Sequence, residues 1–387
     1  MSRFVDLPQP GGAWRRYPLV EPPDWPVPAA PARSRVAFAA AHVVADPWEA
    51  NTPGAPAGVD WEATLAVRAR LHSYGLGVAE AMDTAQRGMG LDWPTARELI
   101  ARSAEQAAAL GGRIAAGAGT DQLPPGPAAL DAVLEAYLEQ VEHVQATGAQ
   151  VIVMASRHLA AAATSVDDYR KVYDRVLARA DRPVILHWLG TAFDPALAGY
   201  WGSAEVDRAT EHFVTLVREN APRVDGVKVS LLDAGHETAL RRALPAGVRL
   251  YTGDDFNYPE LIKGDGTHHS DALLGIFAAI APAAAAALAA LDRDDPAGYE
   301  AAFAPTLPLA RHVFAVPTYY YKTGIAFLSW LSGTQPGFTM VGGLQSARGA
   351  LHLAQVFALA ADAGLLPDPE LAARRMTGYL DLCGLSR

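Results

Sequence analysis

The sequence predicts an α/β fold: a closed (β/α)8 TIM barrel with an extended N-terminal arm and additional C-terminal helices. Two observations carry this. Between about residues 35 and 290, eight short apolar runs alternate with stretches of helical spacing, a rhythm that calls for a parallel sheet joined by helical crossovers. No G-x-G-x-x-G opens the first strand-to-helix turn, which weakens the open, doubly wound alternative. The chain then divides into a Pro-rich arm over 1–34, a barrel over 35–294 and a helical extension over 295–387.

The first 34 residues hold eight prolines and show no helical or strand period, so they read as an extended arm. "RVAFAAAHVVA" is the first strand, and a helix begins near Asp60. "GLGVAEAM" is the second strand, and its helix has Asp92 as N-cap and Pro94 in the first turn. "RIAAGAG" is the third strand, followed by a helix with Val133, Leu134, Tyr137, Leu138 and Val141 on one face. "AQVIVMAS", "RPVILHWLG", "DGVKVSLL" and "VRLYTGDD" are strands four to seven, with helices over 166–180, 204–220, 236–244 and 258–264. The eighth is "ALLGIFAAI", within an alanine-rich stretch broken by Pro282 that reads as strand and then helix.

Composition narrows the function. A net charge of −10 argues against a nucleic-acid binder. No run of about 18 apolar residues marks a membrane span, and the first residues lack a signal-peptide core. The single cysteine, Cys383, excludes an internal disulfide framework and a thiolate metal cluster. The expectation is a cytoplasmic enzyme acting on a small molecule, with no bound cofactor.

In such barrels reactive side chains gather at the carboxyl ends of the strands. The polar residues there are His42 and Asp46, then Glu80, Asp83 and Thr84, then Thr120 and Asp121. Ser156, Arg157 and His158 follow strand four, and His187, Lys228, Ser230, Gly253, Asp254 and Asp255 belong to strands five to seven. Lys228 stands out. The chain has 32 basic residues, of which only Lys171, Lys228, Lys263 and Lys322 are lysines. Where any positive charge would serve, this sequence uses arginine, which does not deprotonate in proteins. A lysine within an apolar strand suggests a need for an amine that can lose its proton and attack a carbonyl carbon. The competing reading is a strand-end lysine paired with Glu80 or Asp254 for structural reasons.

"VDGVKVSLLDAG", followed some twenty residues later by "VRLYTGDD", resembles the dihydrodipicolinate synthase / N-acetylneuraminate lyase family. In that family the sixth strand carries I-x-G-I-K and the seventh ends in S/T-G-D-D. "TYYYKTGIAFLSWLSG" at 318–333 also resembles the family's C-terminal helical segment. The resemblance implies a class I aldolase or lyase in which Lys228 forms an imine with a 2-keto acid or keto sugar, in a dimer or tetramer. It departs from the family where G-T-T-G-E is replaced by "MDTAQRG", keeping Thr84, with Arg87 as a carboxylate fork or a surface residue. It departs again where P-Y-Y becomes "SRH", placing His158 where a proton-relaying tyrosine would stand, and His187 near the family's other tyrosine. The substrate grip therefore differs, and dihydrodipicolinate synthesis itself is not expected. On this reading Lys228, His158, Glu80 and His187 do the chemistry, and Asp83, Thr84, Arg157, Ser230, Gly253 and Asp254 hold substrate.

Other readings stay open at this stage. A metal-dependent isomerase or hydrolase would draw on His42, Glu80, Asp83, His187 and Asp254, although no H-x-H or H-E-x-x-H spacing is present. A barrel that only binds a ligand is a third. Asp254 and Asp255 equally suit an N-cap. His268 and His269 fall at the bottom of the barrel, Tyr319, Tyr320 and Tyr321 read as packing aromatics, and Lys322 as a solvated or ion-paired group.

Overall fold

The computed structural model describes residues 4–386. Strands β1 (Phe4–Pro8) and β2 (Trp14–Pro18) form an antiparallel hairpin. Eight further strands close a parallel barrel: β3 (Ala37–Ala40), β4 (Gly77–Glu80), β5 (Ile114–Ala118), β6 (Gln150–Val153), β7 (Val184–Leu189), β8 (Val224–Ser230), β9 (Arg249–Thr252) and β10 (Asp271–Leu274). All eight coincide with the apolar runs read from the sequence. Closure follows from sequential neighbour pairing, with β10 hydrogen-bonded to both β9 and β3.

The strands alternate as a barrel wall must. Phe38, Ala79, Ala115, Ile152, Ile185, Tyr251 and Leu273 form a small inner cluster. Ala39, Val78, Ala116, Val151, Leu186, Val227 and Val229 face outward into the much larger core shared with the helices. With Val227 and Val229 outside, the period of two turns Gly226, Lys228 and Ser230 to the inside. Gly226 is required there, because a Cβ would lie 2.6 Å from the Tyr251 ring.

The helices that separate the strands are α1 (Trp61–Ser73), α2 (Trp93–Leu110), α3 (Leu130–Ala146), α4 (Arg157–Ala162), α5 (Val166–Arg179), α6 (Val206–Glu219), α7 (Ala234–Ala243) and α8 (Tyr258–Lys263). The side chains of Asp60 and Asp92 cap α1 and α2 by accepting from the Ala63 and Thr95 amides. On α3, Val133, Leu134, Tyr137 and Val141 are buried as the spacing required, with Leu138 at the edge. The short α4, capped by Ser156, has no counterpart in the sequence reading.

Three differences from that reading have physical causes. Strand eight stops at Leu274, and α9 (Phe277–Leu291) begins three residues later, carrying Pro282 within it just after a break in helical geometry at Ile280. The N-terminal arm, expected to lie on the body or on a neighbouring subunit, does lie on the body, where Tyr17 donates to the Ala358 carbonyl, 3.0 Å away, and also bonds Asp362; the difference is that its first part is paired as a hairpin. Prolines at strand ends concealed that pairing. Finally, the C-terminal helices α10 (Pro296–Phe303), α11 (Thr306–Val313), α12 (Tyr321–Leu331), α13 (Ala350–Asp362) and α14 (Pro369–Leu382) include a segment that reaches the barrel mouth. No helix among the described residues is long and apolar enough to cross a membrane.

Candidate active site

Lys228 projects from the sixth barrel strand and is 5% exposed. Among the described residues its amine makes no hydrogen bond or ion pair. Burial lowers its pKa, opposed by the nearby charges of Asp83 and Asp255. Both carboxylates offered above as structural partners are engaged elsewhere. Glu80 forms a two-pronged, fully buried ion pair with Arg68 on α1, both contacts at 2.8 Å. Asp254 accepts from the amides of Phe256 and Asn257 and from the Asn257 side chain, which makes it a cap. The lysine is therefore buried without being locked.

Its surroundings come from several strands. His187 stands opposite Lys228 in the parallel register of β7 and β8. Its Nε2 lies 3.2 Å from the Ser230 hydroxyl, while Nδ1 has no partner among the described residues. Burial, and then the Lys228 charge, hold this imidazole well below the usual histidine range, so it is neutral at pH 7. Gly253 leaves room for both neighbours: a Cβ there would lie 2.2 Å from Ser230 Oγ and 3.0 Å from Lys228 Cε. Asp255 is also inside, and its Oδ1 accepts from the Ile276 amide at 2.9 Å. Burial raises its pKa well above the usual carboxylate range, opposed by the Ile276 amide hydrogen bond and the Lys228 charge.

The hydroxyl of Tyr321 completes the group. It lies 2.5 Å from Thr84 Oγ1 and donates to Asp83 Oδ2 at 2.7 Å. Burial and the Asp83 charge raise its pKa well above the usual tyrosine value. The ring is clamped by Phe314, stacked at a centroid distance of 4.3 Å, and by Phe193. Gly275, at the end of β10, gives it space, since a Cβ would lie 2.9 Å from the ring. The sequence reads this residue as a packing aromatic, and its ring does pack in the core; its hydroxyl in addition has two partners at the mouth. Lys322 is corrected, being 1% exposed with no carboxylate in ion-pair range among the described residues.

The remaining candidates are held by partners of their own. His158 has both ring nitrogens occupied, Nδ1 by Thr120 Oγ1 at 3.0 Å and Nε2 by the Pro124 carbonyl at 3.1 Å. Arg157 pairs with Asp194 at 2.6 Å at the rim. Arg87 is neither a surface residue nor a free fork. It is buried, bound to Asp121 and Gln140 and to the carbonyls of Ala81 and Gly117. His42 bonds Gln335 and, with Glu80 held by Arg68, the metal set considered above is not assembled. Among the described residues no three His, Cys, Asp or Glu side chains are grouped to hold a metal ion.

The architecture defines a class by fold: a (β/α)8 barrel, the fold also found in solved dihydrodipicolinate synthases. YagE from E. coli K12, a prophage protein of the dihydrodipicolinic acid synthase family solved with pyruvate, superposes with a TM-score of 0.64 at 13% identity, covering 91% of this chain and 99% of its own. Chloride-inhibited dihydrodipicolinate synthase from Acinetobacter baumannii, also complexed with pyruvate, gives 0.63 at 15% identity over 86% of this chain and 100% of its own. The Bacillus clausii dihydrodipicolinate synthase gives 0.63 at 14% identity over 85% and 97%. At these identities the likeness is one of fold. By sequence the chain belongs to the family described as "Protein of unknown function (DUF993)", which matches residues 5–385. No curated protein matches it.

Proposed function

We propose that this protein is a class I aldolase or lyase that forms a Schiff base between Lys228 and a 2-keto acid or keto sugar. The observation that carries the reading is the buried, unpaired amine of Lys228 on the inner wall of the barrel, its pKa lowered by burial. The two pyruvate-bound structures of the same fold support it.

In this reaction the neutral amine attacks the ketone carbon, and the carbinolamine formed loses water to leave a protonated imine. That cation accepts the electron pair of the adjacent C–C or C–H bond as it breaks, giving an enamine. Cleavage, condensation or dehydration follows according to which group leaves or adds. Protons must reach and leave the carbinolamine oxygen and the substrate hydroxyl. Tyr321, hydrogen-bonded to Thr84 and Asp83, is the group we assign to that transfer, in the role the resemblance gave to His158. His187 and Ser230, linked to each other beside Lys228, and the buried Asp255 orient the bound carbonyl compound. His158, tied at both nitrogens, supports the loop after strand four.

Incubation with pyruvate and with a panel of keto acids and keto sugars, followed by borohydride, tests this. The expected result is a mass adduct on the peptide containing Lys228. Lys228→Arg is expected to fold and to lose turnover; a variant that stays active would remove the imine mechanism.

A further inference from the structure

A second lysine lies at the barrel mouth, over the Tyr321 ring and without an ion-pair partner among the described residues. Lys322, in the first turn of α12, is buried, and among the described residues its Nζ donates only to the Met89 thioether at 3.3 Å. A buried ammonium without an anionic partner is costly to hold. The carboxylates whose charge reaches it are those of Asp83 and Asp194. Asp83 is bonded by the Tyr321 hydroxyl and Asp194 by Arg157. Arg157 reaches the same loop from the other side, its guanidinium 3.6 Å from where a Cβ on Gly88 would be. Gly88 has φ +70 and no side chain to fill that space. The Arg157 side chain is 53% exposed. Asp83 is the one carboxylate whose field acts on both Lys228 and Lys322.

We infer that Lys322, with Arg157 at its entrance, binds an oxyanion on the substrate at the end away from the carbonyl carbon that Lys228 attacks. The substrate class is thereby narrowed to carbonyl compounds carrying an anionic group, a carboxylate or a phosphate, at the end away from the reacting carbonyl. This rests on the imine reading for which end is attacked, but the anion subsite can be tested without it.

Borohydride trapping is compared for 2-oxoglutarate against pyruvate, and for dihydroxyacetone phosphate against dihydroxyacetone. The expected half-saturating concentration is lower by at least about tenfold for the anionic member of one pair. Which pair responds distinguishes carboxylate from phosphate. In Lys322→Met the preference is expected to vanish while the adduct on Lys228 persists. Absence of preference in both pairs, its persistence in Lys322→Met, or an adduct on Lys322 itself would overturn the inference. Should no carbonyl compound be trapped at all, the imine reading fails instead. The subsite then stands or falls on calorimetric binding of succinate and inorganic phosphate to the wild-type protein, expected to be saturable and to be lost in Lys322→Met.

Discussion

Two side chains divide the proposed chemistry, and removing each has a different consequence. Tyr321→Phe deletes the hydroxyl shared with Thr84 and Asp83 while keeping the ring between Phe314 and Phe193. Turnover is expected to fall by about 10²–10⁴-fold, the usual worth of a positioned proton donor, while borohydride trapping on Lys228 persists. Loss of trapping together with turnover would mean that the tyrosine shapes the site rather than moving protons. Burial lowers the Lys228 pKa, so the reactive neutral amine grows as pH rises, and trapping should reach half its limiting rate below the roughly 10.4 of a free lysine. A stopped-flow pH profile measures this. Lys228 was legible in the sequence because an amine in an apolar strand breaks a pattern in a chain that otherwise prefers arginine. Tyr321 was not, because it lies 237 residues from Thr84 in sequence and an aromatic run looks the same whether it packs or donates.

Whole strands were easier to read than single side chains. Each barrel strand is a short apolar run bounded by glycine, proline or polar residues, and its burial on both faces follows from the parallel sheet. The hairpin of β1 and β2 escaped notice because its strands end in proline and carry few apolar residues. The role of Glu80 escaped for a related reason: a carboxylate at a strand end gives no sign of the arginine waiting on the next helix. The bidentate pair of Glu80 with Arg68 is fully buried and bolts α1 to β4, where removing one partner strands the other charge. Glu80→Gln is therefore expected to lower unfolding stability by about 3–5 kcal/mol, measured by denaturant titration. A variant of unchanged stability would show that the pair is not the bolt it resembles.

At the scale of the molecule, the C-terminal layer closes the barrel and also furnishes its mouth. Both Tyr321 and Lys322 enter from α12, against the turn that carries Asp83 and Thr84. Holding Lys322 there opposes folding. Its pKa falls by burial to about 8 from an ordinary 10.5, so below pH 8 the folded state carries the full cost of a buried ammonium. As pH rises from 8 to 10.5 the folded protein releases the proton that the unfolded chain still binds, and the cost fades. Lys322→Met should therefore be more stable than the wild type at pH 7, by on the order of 2–3 kcal/mol. The difference should shrink toward pH 10.5 in parallel denaturation curves. A stabilised variant that has also lost its anion preference would be a direct case of stability given up for function.

The most direct test of the central claim is peptide mapping after borohydride reduction in the presence of a keto acid or keto sugar. A stable mass increase confined to the peptide that contains Lys228, absent from Lys228→Arg, is the outcome this account requires. Reduction that leaves every peptide unmodified across the whole panel, while the enzyme turns over one of those same compounds, would contradict it.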